Sequence, residues 1–288
     1  MAPRPAGQSR LYAVLGHPVD HSLSPTMQNA AFRAAKIDAA YVALDVPPGR
    51  LAEVLGELHA AGFSGLNLTA PHKEAARRLV VGATEEAKRS GAVNTLRREE
   101  SGWLGHATDG PGFAAWIAAF GIEARGARVL LLGAGGASRS IAPVLASLEP
   151  SAIRVVSRDG ARARAVADQL LGTAHPATEV TAAALAERSE KGRGGPWNLL
   201  VRALSSESVD ALEAPWWEEL DPKARVLDLN YGARAGDTRK RAAAGNYRFD
   251  DGLGLLLHQG ALSYEFWTGE PAPLEAMRAA LHLDNESR

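Results

Sequence analysis

From Leu11 onward, apolar runs with a period of two alternate along the chain with apolar runs of helical period. LYAVLG reads as a strand, SPTMQNAAFRAAKI as a helix, YVALDV as a strand and LAEVLGELHAAG as a helix. FSGLNL followed by HKEAARRLV continues the series. That order leaves few folds open, because strands separated by helical stretches pair in parallel with the helices as crossovers. AVNTLRREESGWLGHA breaks the rhythm and reads as two strands joined by a polar turn.

A second alternating series begins at Ala127, where ARVLLLG runs into GAGGASRS and the apolar helix IAPVLASL. IRVVSR, WNLLVRAL, ARVLDLNY and YRFDDG supply further strands of a doubly wound domain. The stretch from Gly172 to Pro196, rich in Ala, Thr, Glu and Gly, reads as peripheral helix and loop. After Gly252 come a long apolar helix, LGLLLHQGALSYEFWTG, and a shorter one around Pro273 to His282. These are expected to return to the first domain and to leave a cleft between the halves, a favoured place for a ligand.

A chain of 288 residues is long for one core, which favours two domains. With 46% hydrophobic and 23% charged residues the composition is that of a globular protein. The net charge of -1 offers no basic field for nucleic acid or an anionic membrane, so the expected partner is a small molecule. The sequence leaves monomer or homodimer open. With no cysteine there is no disulfide, thiol nucleophile or cysteine zinc site, which fits a reducing compartment, with the cytoplasm as the default. MAPRPAGQSR has no apolar core and reads as a loose tail rather than a signal peptide, and no apolar run has membrane-spanning length. His17 and His21 are four apart, but Gly16, Pro18 and Pro25 make that stretch a loop, so no metal site is expected. Trp216 and Trp217 read as packing.

The loop Gly133, Ala134, Gly135, Gly136, Ala137 and Ser138 follows a strand and opens a helix, the context of a dinucleotide-binding turn. Glycines there permit a tight turn and bring backbone amides up to a pyrophosphate. Ser138 stands where the third glycine of the usual spacing would be, and an ordinary strand-to-helix turn is the plain alternative. The next strand ends VVSR. Arg158, after Ser157 and four residues before Arg162, suits a ribose 2′-phosphate and so NADP(H), whereas Asp159 could instead meet a ribose hydroxyl.

GLNLTAPHK places Asn67, Thr69, His72 and Lys73 within seven positions at a strand end. Thr69 and Pro71 could simply start a helix with a solvated Lys73. The other reading is a small, oxygen-rich ligand held at the carboxyl end of the strand.

Taken with other segments in order, these residues resemble the shikimate dehydrogenase family across nearly the whole chain. GHPVDHSLSPTMQN (16 to 29), GLNLTAPHK, GAVNT (91 to 95), TDGPG (108 to 112), GAGGASR and DGLGLLLHQGALSYEFWTG (251 to 269) carry the likeness. The resemblance implies an α/β protein. Its substrate-binding domain would comprise residues 1–109 and 252–288, and its Rossmann-like NADP(H) domain residues 110–251. It also implies reversible reduction of 3-dehydroshikimate to shikimate. Ser22 and Ser24 would bind the carboxylate, while Asn67, Thr69, Asn94, Asp109 and Gln259 would meet substrate oxygens. Lys73 would be the catalytic amine, oriented by Asp109, with Tyr231 nearby and Gly252 on the cofactor side. In VRALSSES, Arg202, Leu204 and Glu207 replace the family's usual Asn, Thr and Gly beside the nicotinamide ribose. That departure admits a second reading, a shikimate- or quinate-binding relative with little redox activity, though the paired serines resemble the shikimate form.

Overall fold

The strand LYAVLG has almost no polar face, and both of its sides are covered. Ala13 and Leu15 pack into one core with Leu55, Leu66, Leu68, Val93, Leu96 and Trp103. On the other side Tyr12 stacks on Phe32 at 4.8 Å and meets Trp267 at 5.0 Å. Burial on two faces is what a central parallel strand requires. The computed structural model describes residues 9–187, 195–204 and 213–283. The N-terminal tail reading and Glu207 therefore lie outside the described residues.

The chain divides into two compact units, one of residues up to Gly112 and from Leu256 onward, the other of Phe113 to Leu255. The first unit contains β1 (Arg10–Gly16), α1 (Ser24–Ala34), β2 (Ala39–Asp45), α2 (Leu51–Ala60), β3 (Gly65–Leu68), α3 (Lys73–Ala76), β4 (Gly82–Ala83), α4 (Glu85–Ser90), β5 (Thr95–Glu99) and β6 (Gly102–His106). Its sheet order is β2-β1-β3-β5-β6-β4. β1 is parallel to both β2 and β3, whereas β5 runs antiparallel to β3 and β6 antiparallel to β5. The expected helix HKEAARRLV is reduced to α3, and α4 was not anticipated. Its signals were present: Thr84 caps the amino end through Ala87 N, and Gly91 closes the other end at φ 70°.

α5 (Asp109–Ala119) leads into the second unit, which holds β7 (Arg128–Leu132), α6 (Gly136–Ser147), β8 (Ala152–Ser157), α7 (Gly160–Leu171), β9 (Glu179–Ala184), β10 (Trp197–Arg202), α8 (Ala214–Trp217), β11 (Leu220–Asp228), α9 (Gly236–Ala244) and β12 (Arg248–Asp251). The sheet is parallel throughout in the order β12-β11-β10-β7-β8-β9. From β7 the chain winds outward to β8 and β9, then resumes on the other side at β10, so the switch point lies beside β7. β9 corrects the expectation of helix and loop within 172–196. Its alanine-rich sequence has weak strand propensity, but pairing to β8 from Ala152↔Glu179 to Ser157↔Ala184 overrides it. Trp216 and Trp217 are buried in the core of this unit.

The return to the first unit is made by α10 (Leu253–Thr268) and α11 (Leu274–Ala280). α10 approaches β3 very closely. The Trp267 indole N–H donates to Leu96 O at 2.9 Å, and a Cβ placed on Gly65 would lie 2.5 Å from Trp267 Cδ1 and Nε1. Because that ring is anchored, Gly65→Ala is expected to destabilise the protein by about 1–3 kcal/mol through overpacking, measured as a lower urea midpoint at unchanged slope.

Candidate functional site

In the first unit the carboxyl ends of β1 and β3 lie side by side, because the two strands are parallel. β5 is antiparallel to β3, so Asn94, just before β5, reaches the same edge, where its carbonyl accepts from Leu68 N at 2.8 Å. β6 reverses again and delivers Thr108 and Asp109 beside Asn94. Ser22, Ser24 and Thr69 follow the ends of β1 and β3 on this edge. Gln259 comes to it from α10.

Lys73 Nζ donates to Asp109 Oδ2 at 2.7 Å, with side-chain exposures of 19% and 10%. The other carboxylate oxygen, Oδ1, accepts from Asn94 Nδ2 at 2.9 Å. The second amide hydrogen of Asn94 goes to Thr108 Oγ1 at 2.9 Å, and its oxygen accepts from Thr108 N at 2.7 Å. The neighbours fix the orientation of this amide, since a carboxylate can only accept and a backbone N–H can only donate. Lys73 keeps two N–H groups without a partner among the described residues.

Asn67 is equally constrained. Its oxygen accepts from Tyr41 Oη at 2.7 Å, and its nitrogen lies within 3.2 Å of Asn94 O, Thr95 Oγ1 and Ser263 Oγ. One lone pair on Asn67 Oδ1 is left for a ligand hydroxyl. Gln259 Nε2 donates to Leu256 O at 3.0 Å, leaving its second hydrogen unpartnered among the described residues. The hydroxyls of Ser24 and Thr69 also have no partner there, while Ser22 Oγ accepts from Ser24 N at 3.3 Å at the start of α1. Tyr41, Thr95, Thr108 and Ser263 were not singled out from sequence. Ser263 sits four residues after Gln259, a spacing that puts both on one face of α10.

The remaining candidates are in the second unit, where Tyr231 precedes a short 3-10 turn, Gly232–Ala235. Gly133 has φ +122°, and a Cβ there would meet Ala203 O at 2.5 Å, so the tight turn demands glycine. Gly135 and Gly136 face open space instead. They lead into the first turn of α6, and Ser138 Oγ is buried there without a partner among the described residues. Open glycines, helix N–H groups and an orphan hydroxyl fit the phosphates of a dinucleotide. Arg158 is exposed just past the end of β8, and Arg162 is exposed on the first turn of α7. Asp159 caps α7: its Oδ1 accepts from Ala161 N at 2.9 Å and Arg162 N at 3.3 Å, and its Oδ2 lies 3.6 Å from Arg162. That carboxylate is committed to the helix, while Ser157 Oγ ties the turn by donating to Asp159 O at 2.6 Å. Gly252 allows the backbone to pass close to the Leu229 carbonyl, where a Cβ would clash. No group of three or more metal-binding side chains occurs among the described residues.

The profile of the shikimate dehydrogenase substrate binding domain matches residues 14–96, that of shikimate / quinate 5-dehydrogenase residues 117–188, and that of the shikimate 5'-dehydrogenase C-terminal domain residues 252–282. Shikimate dehydrogenase (NADP(+)) of Anaeromyxobacter dehalogenans strain 2CP-C is 40% identical over 98% of this chain and 99% of its own length. The chain belongs to the shikimate dehydrogenase family. Its fold is also similar to the family enzyme of Thermus thermophilus solved with NADP(H) and shikimate. That match has a TM-score of 0.76 at 33% identity and covers 95% of this chain and 98% of that one. A further shikimate dehydrogenase, solved with NADP+, matches with a TM-score of 0.82 at 28% identity, covering 97% and 96%.

Within the family, Arg202 is the departure that most needs a physical account, and its side chain is fully buried. The guanidinium makes a two-pronged contact with Glu213, Nε to Oε2 at 3.0 Å and Nη2 to Oε1 at 3.1 Å, and Nη1 reaches Asp228 Oδ2 at 3.3 Å. Asp228 also accepts from Thr238 Oγ1 and from Asn230 N and Nδ2. Burial disfavours the arginine charge, but the two carboxylates outweigh it and raise the pKa. The cation is therefore spent inside the unit, between β10, α8 and β11. Removing one partner of such a group is costly, so Glu213→Ala is expected to lose about 3–5 kcal/mol in denaturant unfolding.

Proposed function

We propose that this protein is an NADP-dependent shikimate dehydrogenase that reversibly reduces the ketone of 3-dehydroshikimate to the alcohol of shikimate. The observation that carries the reading is the Lys73–Asp109 pair at 2.7 Å, whose ammonium retains two unpartnered N–H groups at the edge of the first unit's sheet. Relatives named shikimate dehydrogenase (NADP(+)) over nearly the full chain support it.

Lys73 would donate a hydrogen bond to the ketone oxygen, stabilise the negative charge that builds there, and deliver its proton as the alcohol forms. In the reverse direction the neutral amine would take the alcohol proton. Asp109 holds the amine by one oxygen and is itself held by Asn94 through the other. Ser22 and Ser24, at the amino end of α1, suit the ring carboxylate. Thr69 and Gln259 have donors to spare, and Asn67 and Asn94 have carbonyl oxygens, which together suit a ring bearing several hydroxyls. Such a site strongly rejects an analogue missing one hydroxyl, because a buried polar group is then left unpaired.

When bound, NADPH supplies the hydride. The residues that would hold it are Gly133 to Ser138 for the pyrophosphate and Arg158 and Arg162 for the 2′-phosphate, with Ser157 and Gly252 shaping the neighbouring backbone and Tyr231 in the same unit. Asp159 is occupied as a helix cap, which favours NADP over NAD. No helix among the described residues is long and apolar enough to cross a membrane. Action on a small acid in aromatic amino-acid biosynthesis, in the cytoplasm, is consistent with this reading.

The test is absorbance at the reduced-nicotinamide band with shikimate and either NADP or NAD. Turnover with NADP is expected, and calorimetric binding of shikimate without turnover under either cofactor would overturn the reading. Lys73→Ala should lower kcat by about 10²–10⁴-fold while calorimetry finds most shikimate affinity kept. A variant with normal kcat would remove Lys73 from its role. Arg158→Ala should raise the KM for NADP about tenfold or more and leave that for NAD nearly unchanged, the loss of a charge-assisted contact to phosphate.

A further inference from the structure

Beneath Asn67 and Gln259, three buried hydroxyls stand within hydrogen-bond reach of one another. Ser263 Oγ lies 2.8 Å from Thr95 Oγ1 and 3.2 Å from Thr108 Oγ1, and the two threonine oxygens are 3.3 Å apart. Each hydroxyl has one proton to give, so the proton directions can be worked out from the acceptors outside the group. Ser263 has a good one, the backbone carbonyl of Gln259 at 3.0 Å. Thr95 and Thr108 have only contacts of 3.5 Å, to Asn94 Oδ1 and Gln259 Oε1.

Ser263 therefore donates to Gln259 O, and its lone pairs accept from Thr95 Oγ1 and from Asn67 Nδ2 at 3.0 Å. Thr95, with its proton on Ser263, accepts from Asn67 Nδ2 at 3.1 Å. Thr108 accepts from Asn94 Nδ2, the amide that also holds Asp109. The serine is thus a relay, which accepts from Asn67 and Thr95 and passes its own proton to the backbone carbonyl of Gln259. From this arrangement we infer that Ser263 is a positioning residue for substrate recognition, acting on Asn67 directly and by way of Thr95 to keep that amide set for a hydroxyl of a cyclic polyhydroxy acid. The inference rests on the function proposed above and deepens it.

Without the hydroxyl, the Thr95 proton loses its acceptor at 2.8 Å and Asn67 loses one of three candidate partners. The Asn67 side chain then gains freedom, and the loss falls on binding of the polyol. The experiment is steady-state kinetics of Ser263→Ala beside the wild type, varying shikimate and NADP separately and including a shikimate analogue that lacks one ring hydroxyl.

The expected result is a KM for shikimate raised about three- to tenfold, the worth of one ordinary hydrogen bond. The KM for NADP should stay unchanged, kcat should fall by less than the shikimate KM rises, and discrimination against the deoxy analogue should narrow. Ser263→Thr, which restores a hydroxyl, should recover part of the lost shikimate affinity. Thr95→Val keeps the shape but deletes the donor to Ser263, and it should shift the shikimate KM in the same direction if Ser263→Ala fails to fold. A folded Ser263→Ala protein with wild-type shikimate KM and undiminished discrimination would overturn the inference. So would equal rises in both KM values, which would mark a merely structural role. Absence of wild-type turnover would instead count against the proposed function itself.

Discussion

A carboxylate drawn into a sheet edge must have its charge met on both oxygens, and Asp109 meets this demand with two different donors. Lys73 takes one oxygen and Asn94 the other. Because Asn94 then has only one amide hydrogen left, Thr108 must receive it, and Thr108 in turn faces the Thr95 hydroxyl at 3.3 Å. The density of small hydroxyls in this corner follows from that first requirement. A buried polar network is stabilising only when every member is satisfied. The reward is rigidity: the ammonium is aimed by a fixed carboxylate, which is the preorganisation that the proposed reduction of a ketone calls for.

The second unit solves a similar problem to a different end. Arg202, Glu213 and Asp228 are all at zero exposure, so the full cost of desolvating three charges is incurred. The forked geometry to Glu213 and the hydroxyl and amide donors on Asp228 are what make that tolerable. Asn230 joins the network and donates to Leu204 O at 2.9 Å, so the ends of β10 and β11 are fastened together. A cation that could have crowded a cofactor instead joins the ends of β10 and β11.

What could be read from the sequence divides along the same physical lines. Period-two and helical runs disclosed the α/β order because they record burial, which acts on every residue of an element. β9 escaped because its alanines owe their strand conformation to β8, a neighbour remote in sequence. Asp159 could have been read as a helix cap, since it stands before Gly160 at the start of an amphipathic run, yet its place after a strand also suited a ribose contact. Lys73 and Asp109 came from the family likeness. Ser263 came from neither source, because a serine on an apolar helix shows its partners only once α10 lies on the sheet. The destination of Arg202 likewise depended on Glu213 and Asp228, 11 and 26 residues away.

The glycines separate structural need from ligand need more sharply than motif spacing does. At Gly16, Gly65, Gly133 and Gly252 an added Cβ would strike a side chain or a backbone carbonyl, so packing alone accounts for the residue. At Gly135 and Gly136 it would strike nothing, and neither has the positive φ that favours glycine. Packing and backbone strain therefore give no reason for glycine at these two positions. An external group that must approach the backbone closely does give one, and the first turn of α6, with a buried Ser138 hydroxyl that has no partner among the described residues, supplies the donors for it. The glycine loop thus carries information about a dinucleotide chiefly at the two positions where the protein itself leaves room.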